Sequence, residues 1–592
     1  MIRKTRSNRR VSNTLLQRVL VSIKNTTRYT LVLSMLGLAG CGIVVRAVYL
    51  QLLDTGRLQE EGNERFLRTV EIPAHRGMIV DRNGEPLAVS SPVDSIWAQP
   101  TDLKKSLKQQ PENTSKLAAL LGMKVRDLTK KLAVPSKRQF VYLRRHLSPD
   151  QAKKVLALKI PGVHTKREYR RYYPDAKITS HLLGFTNIDD IGQEGVEKTF
   201  DDRLRGIPGK KRVIKNRLGQ IVKEIEILQV PQPGQTLTLS IDRRLQYLSY
   251  RALRSAVIKH RAKGGTAVVV DVRSGEILAI VNQPAGNPND RKALRSHLLR
   301  NRAVTDIYEP GSTMKTFAIA MALESGRWRP GSRINTAPGK LKLGRSVIRD
   351  VHNYGVLDVT RVLSKSSNVG TSKIALSLPA KRLWQLYKDL GFGSLTGVGL
   401  IGEQAGILRH FKKWGGEIGH ANHSFGYGLS VNMLQLARAY TALASRGVLQ
   451  PLTVLKRQQP VDNGTESRRV LSERTTKRIW SMLEKAVSRK GTGFKANVPG
   501  YRVAGKTGTV HKVVNGRYSR RYLSLFAGMA PASNPRLVMV VIIDEPRGKT
   551  HYGGTVAAPV FSAVMGGALR ILNVTPDDMP SMKIADSGGT VR

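Results

Sequence analysis

The stretch YEPGSTMKTF, Tyr308 to Phe317, places Ser312 and Lys315 three positions apart, where Pro310 and Gly311 end a coil and an apolar run begins. Positions i and i+3 share one helix face, so the hydroxyl and the amine belong to one surface. A serine at a helix start often serves only as an N-cap, worth about 1 kcal/mol. The lysine adds a second use. A neutral amine beside the hydroxyl can take its proton, provided burial and a second cation pull the lysine pKa toward neutrality. The N–H groups and dipole of the first turn would favour negative charge on an attacked carbonyl oxygen. Nucleophile, base and part of an oxyanion hole then fit within one turn.

S-x-x-K alone is a weak pattern, and its force here comes from two later stretches. SKSSNVGTSKIAL carries Ser366, Ser367 and Asn368, and YRVAGKTGTV carries Lys506, Thr507, Gly508 and Thr509. Serine-x-x-lysine, serine-x-asparagine and lysine-threonine-glycine, in this order, are the motifs of penicillin-binding proteins and class A β-lactamases. With RGMIVDRNGEPLA, SFGYGLSVNMLQLARAYTALA and YGGTVAAPVF, the chain resembles class B penicillin-binding proteins over nearly its whole length, nearest to the division-specific peptidoglycan D,D-transpeptidases.

That resemblance implies a role for each motif residue. Ser312 is the acylated nucleophile and Lys315 its general base, Ser366 relays a proton to the leaving group, and Asn368 hydrogen-bonds the donor peptide. Lys506, Thr507 and Thr509 hold the terminal carboxylate of D-Ala-D-Ala, and the backbone N–H groups of Ser312 and Thr509 form the oxyanion hole. An exposed edge strand at 506–509 would pair with an extended peptide, Gly508 letting the two backbones approach. Ser312 displaces the terminal D-Ala, and an amine acceptor from a neighbouring stem peptide resolves the ester. β-Lactam antibiotics would acylate the same serine.

These residues need elements to hold them. LTLSIDRRLQYLSYRALRSAV starts a helix after Asp242, and GGTAVVVDVRSGEILAIV reads as two buried strands joined at Ser274-Gly275. A helical region follows Ser312 to about Val448. The runs YRVAGKTGTV, YLSLFAGMAP and RLVMVVIIDEP then read as strands, and TVAAPVFSAVMGGALRIL as a packing helix. The expected fold is α+β and multidomain: a penicillin-binding-protein and serine β-lactamase-like transpeptidase domain, an antiparallel sheet flanked by helices plus a helical subdomain. Before it lies a mixed, strand-rich pedestal domain of the dimerisation type, with a hairpin at Asn83-Gly84 and a basic helical section from about Thr101 to Leu158. Arg76, Gly77, Asp81 and Arg82 are read there as packing and salt-bridging residues.

At 592 residues and a formal charge of +55, the chain has room for several domains and attraction for polyanions. Residues 1–28 hold eight basic and no acidic side chains, and Tyr29 to Val45 is free of charge. The positive-inside rule keeps the N-terminus cytoplasmic and places everything after about residue 54 outside the cytoplasm, which argues against nucleic acid as a partner; the resemblance implies a bacterial inner membrane and a periplasmic bulk. LAGC, Leu38 to Cys41, resembles a lipoprotein box. The apolar sequence continuing as GIVVRAVYLQLL points instead to an intact single-span anchor. The expected divisions are a cytoplasmic tail 1–28, an anchor 29–53, a pedestal 54–235, a transpeptidase domain 236–575 and a disordered tail 576–592. The pedestal is too short for a glycosyltransferase. The resemblance therefore implies an FtsW-type membrane glycosyltransferase and other division proteins as partners at the septum.

Rival readings are specific. Ser430-Val431-Asn432 is a second S-x-N, taken as a helix start capped by Ser430. GYRVAGKT, Gly500 to Thr507, fits a phosphate loop, but Gly508, Thr509 and Val510 suit a strand where that loop needs a helix. An elongation-specific transpeptidase, a D,D-carboxypeptidase and a division scaffold with an inactive site share much of the pattern. No metal or other cofactor is implied: His420 and His423 lie at i and i+3 without an H-E-x-x-H or cysteine cluster.

Overall fold

A computed structural model describes residues 10–57, 67–133, 140–215, 221–457 and 467–578. Of the expected tail 576–592, only 576–578 fall among them. Helix α1, Arg10–Val48, begins well inside the basic stretch and passes into a turn of π-helix at Tyr49–Leu53. Thr27–Leu53 is long and apolar enough to cross a membrane. Arg46, the one charge inside the apolar run, lies over the Tyr49 ring, 5.3 Å from its centroid.

The pedestal is built on strands β1 (Leu67–Ile72), β2 (Ile79–Val80), β3 (Pro86–Ala98), β4 (Val141–Leu147), β5 (Val163–Tyr172), β6 (Gly209–Lys215) and β7 (Ile221–Gln229), and its sheet is extended by β8 (Leu237–Thr238), which pairs with β2 from just beyond the expected boundary at 235. β3 pairs with β2, β4 and β5, and a separate sheet runs β1-β6-β7. The Asn83-Gly84 signal marks the β2–β3 turn, where Gly84 adopts φ +91° and the Asp81 carboxylate accepts from the N–H groups of Asn83 and Glu85. The section 101–158 differs from its expected helical character. Helices α2 (Pro100–Gln109), α3 (Glu112–Leu120) and α4 (Val125–Leu132) are followed by strand β4 and helix α5 (Pro149–Leu156). Leu117, Leu121, Leu128 and Leu132 do form a buried stripe, but VYLRRHL turns its buried Leu143 and Leu147 to one side of a strand.

Arg76 is buried and pairs with Glu197 and Asp201, each at 2.7 Å. Gly77 is required by space, since a Cβ there would lie 2.0 Å from the carbonyl oxygen of Gln235. Arg82 reaches across to Glu276 at 3.2 Å, joining the pedestal to the next domain.

That domain centres on one antiparallel sheet whose strands come from both ends of the segment: β9 (Gly264–Asp271), β10 (Ile277–Gln283), β11 (Ala504–Val514), β12 (Arg517–Ala530) and β13 (Leu537–Asp544), in the order β10-β9-β13-β12-β11. Every residue of β9 and β10 is buried, because helices cover both faces. Helix α6 (Arg243–Lys259), capped by Asp242, packs on one face. On the other lies the helical block, with α7 (Lys315–Glu324), α8 (Asn368–Leu376), α9 (Gly416–Ser424), α10 (Met433–Ala444) and α11 (Glu473–Val487). Helix α12 (Ala558–Ile571) joins α6 against the first face.

Two rival readings are decided here. Ser430 is not a cap: Asn432 is the N-cap of α10, accepting from the Gln435 N–H at 2.8 Å while Gln435 Oε1 accepts from the Asn432 N–H at 2.9 Å. The pattern N-x-x-Q makes this reciprocal box, two residues beyond the serine. The phosphate-loop alternative also fails. Lys506 lies inside β11, which runs on to a turn at Asn515 and Gly516, and no helix opens at the lysine.

Candidate active site

Ser312 sits in a single 3-10 turn, Gly311–Met314, which feeds directly into α7 at Lys315. It caps neither element: Pro310 stands at the capping position of the turn and Met314 at that of α7, and Thr313 Oγ1 donates to the Pro310 carbonyl at 2.8 Å. The turn is wedged on two sides. A Cβ on Gly311 would meet Val510 Cγ2 of β11 at 2.3 Å, and one on Gly426 would lie 2.1 Å from the Gly311 carbonyl oxygen. Tyr440 on α10 adds a hydrogen bond from its hydroxyl to the Thr313 carbonyl at 3.0 Å.

Lys315 is fully buried. Its three hydrogen bonds go to the second motif: the Ser366 carbonyl at 2.5 Å, Ser366 Oγ at 3.1 Å and Asn368 Oδ1 at 2.7 Å. Desolvation drives its pKa well below the ordinary lysine value, the charge of Lys506 adds to this, and Asp350 opposes it. The amine expected beside Ser312 is thus held from behind by Ser366 and Asn368.

Ser366 adopts φ +61°, in the left-handed region that costs a non-glycine residue about 1–3 kcal/mol. The next residues hold it there. Ser367 caps α8, accepting from the Gly370 N–H at 2.8 Å and donating to Asp350 Oδ2 at 2.6 Å. Asp350 Oδ1 accepts from the backbone N–H groups of Asn368 and Val369. The Asn368 amide donates to the Arg349 carbonyl at 2.9 Å.

The third motif lies on β11, an edge strand by pairing. Ala504 to Gly508 are buried rather than exposed as an open edge strand would be, because the Ser312 turn and α11 pack against it. A Cβ on Gly508 would stand 3.3 Å from both the Pro310 carbonyl oxygen and Thr313 Cγ2, so the strand touches the nucleophile's turn. Lys506 is fully buried, its ammonium 3.2 Å from the Thr507 carbonyl, and burial lowers its pKa to about 7. Thr507 Oγ1 is 2.9 Å from Thr492 Oγ1, and Thr509 Oγ1 accepts from the Gly553 N–H at 3.0 Å.

The eight motif residues therefore come from three segments that meet around one turn. Asp350, Thr492 and Tyr440 also serve the site, and the sequence held no spacing rule that would find them. A site with a hydroxyl, a lysine biased toward its neutral form and a second buried lysine on an edge strand is suited to acyl transfer to serine from a substrate bearing a carboxylate.

Fold and site together define the class, and the chain belongs to the class B penicillin-binding proteins. Residues 265–566 match the penicillin binding protein transpeptidase domain, and residues 71–239 the penicillin-binding protein dimerisation domain. Among particular members, it is similar to the peptidoglycan D,D-transpeptidase FtsI of Escherichia coli K12, at 42% identity over 93% of this chain and 92% of that one. It is 41% identical to the probable peptidoglycan D,D-transpeptidase PenA of Neisseria meningitidis, over 93% of each. The apo transpeptidase domain of penicillin-binding protein 3 from Burkholderia pseudomallei aligns with a TM-score of 0.53 at 44% identity, covering 58% of this chain and 98% of that one. A peptidoglycan synthetase from Bifidobacterium adolescentis aligns over 87% of this chain and 98% of its own, with a TM-score of 0.68 at 25% identity.

Proposed function

We propose that this protein is a serine D,D-transpeptidase that cross-links peptidoglycan stem peptides during septal wall synthesis and is acylated by β-lactams. The observation that carries this is the Lys315 amine, buried, biased toward its neutral form, and joined to Ser366 and Asn368 in the turn that follows Ser312. In the first half-reaction Lys315 takes the Ser312 proton, and the serine oxygen attacks the carbonyl of the penultimate D-Ala. The backbone N–H groups of Ser312 and Thr509 stabilise the oxyanion. Ser366, 3.1 Å from the lysine, returns a proton to the departing D-Ala nitrogen. Lys506, Thr507 and Thr509 hold the donor's terminal carboxylate, Gly508 keeps the approach to β11 open, and Asn368 orients the donor's peptide group. In the second half-reaction an acceptor amine attacks the ester and frees Ser312.

The chain's organisation fits this work: a tail 1–28, an anchor 29–53, a pedestal 54–235, a catalytic domain 236–575 and a terminal tail 576–592. Basic residues before the apolar helix favour a cytoplasmic N-terminus and a periplasmic catalytic domain. Similarity to FtsI supports placement at the septum beside an FtsW-type glycosyltransferase and other division proteins, which would supply the strands to be joined. The test is mass spectrometry of the full chain after treatment with penicillin. An adduct on the peptide containing Ser312, lost in Ser312→Ala, is expected; no adduct, or one on another residue, overturns the proposal.

A further inference from the structure

The second half-reaction has a problem that the donor machinery does not solve. An acceptor amine is a cation at neutral pH, and the donor side of the site holds Lys506, which suits a carboxylate. The acceptor needs a negative group near Ser312 that is not already committed. Asp350 is committed: its oxygens accept from Ser367, Asn368 and Val369 behind the second motif. Glu309 is different. It lies three residues before Ser312, a span of at most about 10 Å along the backbone. Its Oε1 accepts from the Gly428 N–H at 2.8 Å and from the Tyr518 hydroxyl at 3.1 Å, while Oε2 is enclosed with no partner among the described residues. A carboxylate oxygen left unpaired in a shielded place costs free energy, and such an orphan marks where a donor belongs. Tyr518 is 57% exposed, so its hydroxyl is the bond an incoming group can displace.

We infer that Glu309 is the docking group for the acceptor ammonium, which displaces the Tyr518 hydroxyl from Oε1 and engages Oε2. This rests on the transpeptidase proposal and adds the site of its second substrate. Burial raises the Glu309 pKa, against the two hydrogen bonds that lower it. The ammonium gives one proton to Glu309, and the neutral amine attacks the ester carbonyl on Ser312. A C–N bond forms, the C–O bond to Ser312 breaks, and a second proton from the attacking nitrogen goes to the serine oxygen. Glu309 then releases its proton to solvent.

The experiment uses the full chain in detergent, with a thioester depsipeptide analogue of D-Ala-D-Ala as donor and a tripeptide ending in meso-diaminopimelate as acceptor. The ratio of aminolysis to hydrolysis is measured by chromatography, and fluorescent-penicillin acylation is followed on the same samples. Glu309→Gln is expected to lower that ratio about tenfold or more through a raised acceptor KM, as for loss of one charge-assisted hydrogen bond. Tyr518→Phe, which removes the competing hydroxyl, is expected to keep or raise the ratio. An unchanged ratio in Glu309→Gln overturns the inference. So does a loss in Tyr518→Phe, which would mean that the Glu309–Tyr518 bond only braces the cleft. If Glu309→Gln does not fold, the Tyr518→Phe result decides alone. Failure of the wild-type chain to take up penicillin overturns the enzyme itself, a result separate from either ratio.

Discussion

Lys315 Nζ donates to Asn368 Oδ1 across 2.7 Å, between residues 53 positions apart in the chain. The neutral amide is a hydrogen-bond acceptor that adds no negative charge, so it holds the amine in place while favouring its charged form less than a carboxylate would. Asn368→Asp would put a carboxylate at the same distance, and an opposite charge that close raises an amine pKa by about 1–3 units. The lysine would then stay protonated to higher pH. The expected outcome is slower penicillin acylation at neutral pH, with the rising limb of the pH–rate profile displaced to higher pH by a unit or more.

Asp350 gives the opposite sign. Its charge opposes the lowering of the Lys315 pKa, so Asp350→Asn is expected to move the same limb to lower pH. The substitution also weakens the acceptor for Ser367 and two backbone N–H groups, at a cost of about 1–3 kcal/mol. Thermal unfolding monitored beside the pH profile separates these effects. A lower melting temperature without movement of the limb would show that Asp350 acts on the fold alone.

Much of this site was legible because its signals are local. The three motifs, the Asn83-Gly84 and Asn515-Gly516 turns and the apolar runs of β9, β10 and β13 depend on neighbours along the chain. What stayed hidden depends on contacts across it. Asp350 lies 17 residues from Ser367, on a loop whose sequence carries no motif. Glu309 owes its surroundings to Gly428 and Tyr518, residues 119 and 209 positions away. Strand β4 was obscured by leucine-and-lysine sequence on its N-terminal side that does form helices. The burial of β11 could not be read either, since the Ser312 turn that covers it arrives from another part of the chain.

Gly426 tests how tightly the nucleophile's turn is gripped. It has φ +86°, and an added Cβ would lie 2.1 Å from the Gly311 carbonyl oxygen. Gly426→Ala must therefore displace the turn, and a misplacement of about 1 Å is enough to lower a rate about 10²-fold. Gly516 is the control: it has φ +74° with nothing within 4 Å of the added atom. Gly516→Ala should cost about 1–2 kcal/mol of stability and leave the acylation rate alone. Equal acylation rates in both variants would show that the Gly426 contact does not position Ser312.

Glu197 tests the pedestal separately. It is fully buried, 2.7 Å from Arg76 and 2.6 Å from Arg171. Glu197→Ala leaves both guanidinium groups without this partner, and breaking a buried pair costs about 3–5 kcal/mol. Chemical denaturation should show that loss. Penicillin acylation of the folded fraction should keep its rate, since the pair lies outside the cleft. A fall in that rate would reveal coupling between the domains, which the Arg82–Glu276 and Arg243–Asp175 bridges join directly.

Lys506 governs the other limb of the pH profile. Burial brings the Lys506 pKa to about 7, so this lysine is charged below that pH and neutral above it in the free enzyme. Capture of a carboxylate needs the charged form, whereas Lys315 must be neutral to accept the Ser312 proton. The second-order rate of acylation by a carboxylate-bearing penicillin should therefore rise as Lys315 loses its proton and fall as pH passes upward through about 7. Because the two lysines interact, the limbs report pKa values of the pair. Lys506→Arg keeps its charge throughout this range, so the falling limb should disappear while the rising limb remains. A profile that falls above neutrality in both proteins would assign that limb to a group other than Lys506.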